Sequence, residues 1–248
     1  MRDAVASSGA LVRRGLNEVL RVPGAAIPGI LAPCIFMLGL TAIFGRLTAL
    51  RGFPTDQYLA FILPVTLLQG AGFSGAATGV NLARDIEQGW FDRLLVSPAP
   101  RWALLVSTVG GACVRAVIPI AFALGAPLAS VGGLVLSLGL ALTFALVAAA
   151  WATSLALKFK TQSAAPLMQA SMFVLVLFTP AYAPQERLHG VLGDIARVNP
   201  VSHVVEATRQ GFIGHVTWAT TWPALVVLAA MLAALSGLAL WMLERAGR

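Results

Sequence analysis

Few side chains in this 248-residue chain are placed to do chemistry, and their spacing limits what chemistry that is. His189, His203 and His215 are dispersed and lack the spacing of a zinc ligand set. Ser163, Ser171 and Ser202 have no strand–turn–helix elbow around them, so a membrane hydrolase has no nucleophile. Cys34 and Cys113 both fall in apolar segments and form neither a metal-ligand nor a disulfide pattern. There is no G-x-x-x-x-G-K-[ST] phosphate loop, and the only lysines are Lys158 and Lys160. Two features remain. One is an island of charge at Arg84–Arg101, in which Asp85, Glu87, Gly89, Trp90, Asp92, Arg93, Pro98 and Arg101 stand between two long apolar segments. The other is Arg115, a single cation inside an apolar run.

The island cannot lie in hydrocarbon, where a centred charge is unfavourable by roughly 2.5–3.5 kcal/mol. Ile86, Trp90 and Leu94 at spacing four, with Phe91 and Leu95 beside them, predict an amphipathic helix over the island, a docking element at a membrane surface. Arg115 lies about 18 Å along a helix counted from Ala103, near mid-membrane. Thr108, Gly111, Arg115 and Pro119 share one small, polar face, which lipid would penalise. Arg115 is then either a contact or gate for a polar or anionic cargo group, or a structural cation bonded to nearby carbonyls.

The elements that position these residues are membrane spans. Apolar residues make up 58% of the chain and charged residues 11%, with a mean hydropathy of +0.84, outside the balance of an ordinary soluble domain. A net charge of +7 does not read as nucleic-acid binding, because the cations sit in short loops beside apolar spans. A bilayer core takes about 20 helical residues. The charge-free windows predict six spans at 22–45, 57–83, 102–126, 131–157, 161–185 and 216–243. The 42 charge-free residues from Ala116 to Leu157 are too long for one crossing, and Gly125-Ala126-Pro127 with Gly132-Gly133 divides them.

Eleven cations fall on the side of both termini: Arg2, Arg13, Arg14, Arg21, Arg84, Arg93, Arg101, Lys158, Lys160, Arg245 and Arg248. Five fall on the other: Arg46, Arg51, Arg187, Arg197 and Arg209. The positive-inside rule then places both termini in the cytoplasm. Residues 1–21 carry a narrow apolar face of Val12, Leu16, Val19 and Leu20, which fits either an interfacial helix or a basic flank. Trp102, Trp218, Trp222 and Trp241 near span ends read as interfacial anchors. Gly72, Gly75 and Gly79 give a small-residue stripe for close packing, within the chain or against a second copy. Residues 186–215 are too polar to span. Leu188, Val191, Leu192 and Ile195, then Val201, Val204, Val205, Thr208 and Phe212, predict two short amphipathic helices parted by Asn199-Pro200 over the outer end of the bundle.

The run Asp85-Ile86-Glu87-Gln88-Gly89-Trp90-Phe91-Asp92-Arg93-Leu94-Leu95-Val96-Ser97-Pro98-Ala99-Pro100-Arg101 resembles the cytoplasmic loop of type-2 ABC exporter permeases, in their daunorubicin and drug-resistance branch. Asn199-Pro200-Val201-Ser202-His203, with Arg209 six positions on, resembles the same family's second signature. Together the two motifs and the six spans cover nearly the whole chain. The resemblance implies an all-α integral membrane protein of the bacterial plasma membrane. It would have an N-terminal interfacial helix at 1–21, a coupling helix at 84–101 and outer re-entrant helices at 186–215. It also implies two permease chains, identical or paralogous, above two cytoplasmic ABC ATPase subunits. ATP and Mg would be bound by those ATPases, with no cofactor on this chain and no nucleic acid among its partners. Asp85, Glu87, Gly89, Trp90, Arg93, Pro98 and Arg101 would couple to the ATPase.

The expected function is export of hydrophobic or amphipathic molecules, without enzymatic activity in this chain. An ion-coupled secondary transporter would call for ionisable groups or broken helices at midplane in related halves, and only Arg115 is seen there. A non-transporting scaffold is the remaining alternative.

Overall fold

A computed structural model describes residues 23–49, 53–91, 130–185 and 188–246, with positions 102, 105, 106, 109, 110, 112, 113 and 116 between them. The regular structure in these residues is helical, with no strand. In chain order the helices are α1 Pro23–Phe44, α2 Tyr58–Glu87, α3 Val131–Phe159, α4 Ala165–Leu177, α5 Gly190–Val198, α6 Val201–Arg209 and α7 Trp218–Ala246. Short 3-10 turns follow α1 at Gly45–Ala49 and precede α4 at Gln162–Ala164. The interfacial helix expected at 1–21 lies outside the described residues, as do Arg93, Pro98, Arg101, Thr108, Gly111 and Arg115.

Three of the described helices, α2, α3 and α7, are long and apolar enough to cross a membrane. At 30 residues α2 is about 45 Å long, against about 30 Å of hydrocarbon, so its charged last turn projects beyond an apolar slab. Its buried positions run from Tyr58 to Ala83 with little interruption, which makes α2 the central helix, packed by α1, α3, α4 and α6. α7, by contrast, packs mainly on α3 and α6 and leaves Trp218, Trp222, Val226, Leu238 and Trp241 exposed. At the described positions between 102 and 116 the chain is helical. Leu105, Val109, Ala112 and Ala116 are buried there at helical spacing, while Trp102 and Val106 are exposed.

The α2–α3 seam explains the glycine stripe. A Cβ at Gly75 would stand 2.5 Å from the Ala145 carbonyl oxygen, and one at Gly79 would stand 2.5 Å from the Ala152 carbonyl carbon. At Gly72 the nearest atom would be on the Phe144 ring, at 3.2 Å. Ala145, Ala148, Ala149 and Ala152 answer from α3, all fully buried. Small residues facing small residues let two parallel backbones approach until carbonyls touch the opposite helix. The stripe therefore serves packing inside the chain.

Two expected elements have different bounds. The charge-free window 161–185 is helical only to Leu177, after which Phe178–Gln185 turn. Its end is set by polar chemistry that hydropathy does not register: Thr179 Oγ1 donates to Val176 O, and Pro180 offers no N–H to continue the ladder. The single helix expected over Asp85–Arg101 is broken near its start. α2 ends at Glu87, Gln88 caps it, and Gly89 takes φ +69° before Trp90 and Phe91 resume helix. A left-handed residue just past a helix end suits glycine, and here it redirects the chain. Ile86 and Trp90 thus belong to different helices. Two short helices, α5 and α6, do occupy the segment where two were expected, parted by Asn199-Pro200.

Candidate functional site at the two ends of α2

The family-like residues gather at opposite ends of α2. At the Glu87 end, a single carboxylate draws in three donors from the turn before α4. Thr161 Oγ1 donates to Glu87 Oε1 at 2.6 Å, the Gln162 backbone N–H to the same oxygen at 2.9 Å, and Gln162 Nε2 to Oε2 at 2.8 Å. Arg84 Nε, one turn back on α2, donates to Gln162 Oε1 at 3.2 Å. The Gln162 amide is therefore held on both sides, by a cation on its oxygen and an anion on its nitrogen. The turn is preorganised for this: Thr161 is an extended N-cap whose hydroxyl accepts from Ser163 N, and Pro166 sits in the first turn of α4. Backbone N–H groups at a helix start favour an anion, and Glu87 supplies it. The Glu87 carboxyl lies in the turn that projects past the hydrocarbon. The Thr161 hydroxyl, then the Gln162 side chain and backbone, hold it below its ordinary range. Arg84 and Glu87 are exposed to water, and Thr161 and Gln162 are half-buried. Beside it Asp85 is half-buried, Trp90 is exposed and Phe91 is buried.

At the Tyr58 end, the second motif closes around Arg209, which is 6% exposed. Its guanidinium donates to Pro180 O at 2.8 Å, to Phe61 O at 3.4 Å and to Glu206 Oε1 at 2.6 Å, and it lies 4.0 Å over the Phe61 ring. One planar fork thus joins α6, α2 and the turn after α4. Phe61 in turn packs on Phe53 and Tyr58. The Tyr58 hydroxyl donates to Tyr182 O, and Gln69 Nε2 reaches the Tyr182 hydroxyl at 3.5 Å.

Asn199 completes the junction. Its Nδ2 donates to Leu175 O and Phe178 O at 2.8 and 2.9 Å, while its Oδ1 accepts from Val201 N at 3.0 Å. The side chain thereby ends α4 and starts α6 at once. Pro200 follows as the residue entering α6, where a missing N–H is harmless, and Ser202 Oγ donates to Ala196 O of α5. His203 points to solvent and takes no part in the junction.

Residues that carried no sequence signal finish the assembly. Gln210 Oε1 accepts from the Thr217 N–H and hydroxyl at the start of α7, and its Nε2 donates to Ala207 O and Thr221 Oγ1. Ser137 Oγ donates to Gly133 O and Thr208 O, both at 2.8 Å, binding α6 to the start of α3. Gly133 and Gly211 meet there: a Cβ on Gly133 would stand 2.8 Å from the Gly211 Cα. Gln210 is a lone glutamine without a spacing partner. For the Gln162 turn, Thr161 three residues before Ala164 and five before Pro166 was a readable N-cap. No group of three or more potential metal ligands clusters among the described residues.

The chain matches the model of the ABC-2 type transporter family over residues 7–213. It is 24% identical over 208 residues to the daunorubicin resistance ABC transporter permease protein DrrB1 of Streptomyces coeruleorubidus, covering 79% of this chain and 71% of that protein. It is 25% identical over 193 residues to the probable multidrug ABC transporter permease YbhR of Escherichia coli K12, covering 71% of this chain and 51% of that one, so it spans about half of that relative. The same-named protein of Escherichia coli O157:H7 matches to the same extent. A match this long, on a chain whose helices can cross a membrane, places it in the ABC-2 type transporter family as a multi-pass membrane permease.

Proposed function

We propose that this chain is the membrane-spanning half of an ATP-driven exporter of hydrophobic or amphipathic, drug-like or lipid-like molecules. The observation that carries the reading is the combination of the family match with a charged island set directly on the projecting end of the central helix. In this reading the chain crosses the membrane six times with both termini in the cytoplasm. It pairs with a second permease, identical or paralogous, and docks a cytoplasmic ABC ATPase on the island through Asp85, Glu87, Gly89, Trp90, Arg93, Pro98 and Arg101. ATP and Mg reside on that ATPase. Binding of ATP acts on the permease only through differential interaction with two of its states, and the island is where that difference enters. Arg115, with Thr108 and Gly111, is assigned to the cargo path or its gate.

The test is reconstitution. The purified chain alone should not hydrolyse ATP. With its cognate ATPase it should form a stable complex and drive daunorubicin, chosen as a fluorescent amphipathic probe, across inverted vesicles. Vigorous hydrolysis by the chain alone would overturn the reading. Single cysteines at Ser8, Gln88 and Gly247, in a background lacking Cys34 and Cys113, should resist an impermeant thiol reagent in intact cells, whereas cysteines at Thr55 and Gly190 should label. Labelling of Gln88 from outside would invert the topology. For Arg115, transport per assembled complex should fall in Arg115→Ala and recover partly in Arg115→Lys.

A further inference from the structure

Two neighbours hold α2 by different means. Against α3 it is welded: glycines meet alanines with no room for a methyl group, so the two helices move as one body. Against α4 it is not. α4 turns a narrow face of Met168, Met172 and Val176 toward the core, and two of those three are unbranched thioether side chains that repack easily. What fixes α4 is its ends. Asn199 takes the carbonyls of Leu175 and Phe178 at one end, and Glu87 takes the Thr161 and Gln162 donors at the other. Between them, among the described residues, one side-chain bond, Trp151 Nε1 to Ser171 Oγ at 2.9 Å, crosses from α3. α4 is thus a short strut pinned at both ends over a soft bearing.

The Glu87 pin is unusual in where it lies. Four hydrogen bonds converge on two side chains at the water-facing end of α2, Glu87 exposed and Gln162 half-buried, where each bond adds little to folding because water can replace it. Such a cluster sets position more than it adds stability. Glu87 is also separated from Trp90 only by the Gln88-Gly89 turn, so any displacement of the island reaches the pin first.

We propose that Glu87 is a positioning residue that fastens the start of α4 to the end of α2, so that displacement of the charged island carries α4 with it and reaches the Asn199–Arg209 junction at α4's far end. The proposal rests on the ATP-driven reading above. The part Glu87 plays in coupling is then exerted on α4 through Gln162 and Thr161. Arg84 serves the same latch by orienting the Gln162 amide so that its nitrogen, not its oxygen, faces the carboxylate.

The test perturbs the latch from the α4 side, in the full complex with its cognate ATPase in lipid vesicles. A reporter cysteine replaces the exposed Val191 of α5, with Cys34 and Cys113 replaced by alanine. Thiol labelling at Val191→Cys is compared without nucleotide and after trapping with ATP and vanadate. In the parent chain, trapping should change the labelling rate severalfold. Gln162→Glu sets a second carboxylate against Glu87 and opens the latch, so the ratio should fall to about one while the ATPase still co-purifies at parental yield. Adding Glu87→Gln to that chain exchanges the two partners: the amide nitrogen now sits on α2 and the carboxylate on the turn, beside Arg84. At least about half of the nucleotide response should return. A parent chain with no nucleotide response overturns the ATP-driven reading and the latch with it. A parent that responds, beside an equally responsive Gln162→Glu chain, overturns the latch alone. A response lost in Gln162→Glu and not restored by Glu87→Gln marks simple damage to the turn, and also overturns it.

Discussion

At its Tyr58 end α2 meets a guanidinium withdrawn from water, whereas at its Glu87 end it offers a carboxylate surrounded by it, although each group gathers three polar partners. The difference lies in what happens when the partners are removed. A buried charge left unpaired loses several kcal/mol, since no water can replace its bonds. An exposed one is resolvated at once. The Arg209 junction therefore behaves as a fixed joint and the Glu87 latch as a releasable one. A transporter that moves between states needs both, on one rigid rod.

The largest expected effect is at the fixed joint. Arg209→Met keeps the bulk but leaves Pro180 O without its donor and takes the guanidinium from Phe61 O, and should destabilise the chain by about 3 kcal/mol. Glu206 is partly exposed and adds little to that figure. Arg209→Lys should recover only part, because an ammonium cannot serve three directions with a planar fork. Membrane abundance and the thermal midpoint in detergent measure both. An Arg209→Met chain of normal stability that fails only in transport would make the residue part of the cargo path and erase the contrast between the ends.

The contrast also requires that the rod between the ends be stiff. Gly79→Leu drives side-chain atoms into the Ala152 backbone and should destabilise by about 1–3 kcal/mol or splay α2 from α3. Gly139→Leu is the matched control on α3, where nothing lies within 4 Å of the added Cβ, and it should be nearly neutral. Equal midpoints for the two variants would show that the seam has slack.

These glycines were legible as a small-residue stripe, but a sequence does not say which surface answers it, and only the alanines of α3 placed the seam inside the chain. Asn199 and Arg209 were legible through a family motif. Their partners were not, because Leu175, Phe178, Phe61 and Pro180 contribute backbone carbonyls that no side-chain pattern marks. The charge-free window 161–185 measured hydropathy and missed the helix stop at Leu177, although Thr179-Pro180 was a breaker in plain view. At Gly89 an apolar stripe at spacing four outweighed a glycine that ends the helix. Gln162 and Gln210 stood alone, and lone amides become informative only when folding brings them their partners.

Asn199 is intermediate between the ends, since it is buried and bonded yet uncharged. Asn199→Ala should lose about 1–2 kcal/mol by freeing two carbonyls and the Val201 N–H. Asn199→Asp should be worse than alanine, because it turns a carboxylate toward those carbonyls in a buried place. Thermal midpoints of the two variants give the order. If aspartate is the milder change, the Nδ2 bonds are not what ends α4.

The smallest stability effect is expected at the latch. Glu87→Ala should leave the thermal midpoint close to that of the parent at neutral pH, in keeping with an exposed site. Its pH dependence has a definite sign. The Thr161 hydroxyl, then the Gln162 side chain and backbone, depress the Glu87 carboxyl below its ordinary value of 4.5, against a weaker opposing push from burial. A depressed carboxylate contributes fully above its unfolded-chain value and loses that contribution as pH falls through the lower folded value. The difference in midpoint between the parent and Glu87→Ala should thus be flat from about pH 6 to 8 and shrink toward zero only below about pH 4.5. A difference that varied between about pH 6 and 8 would assign the titration to another group, a histidine by its range. The latch would then no longer be the carboxylate cluster, and the comparison between the two ends of α2 would lose its releasable member.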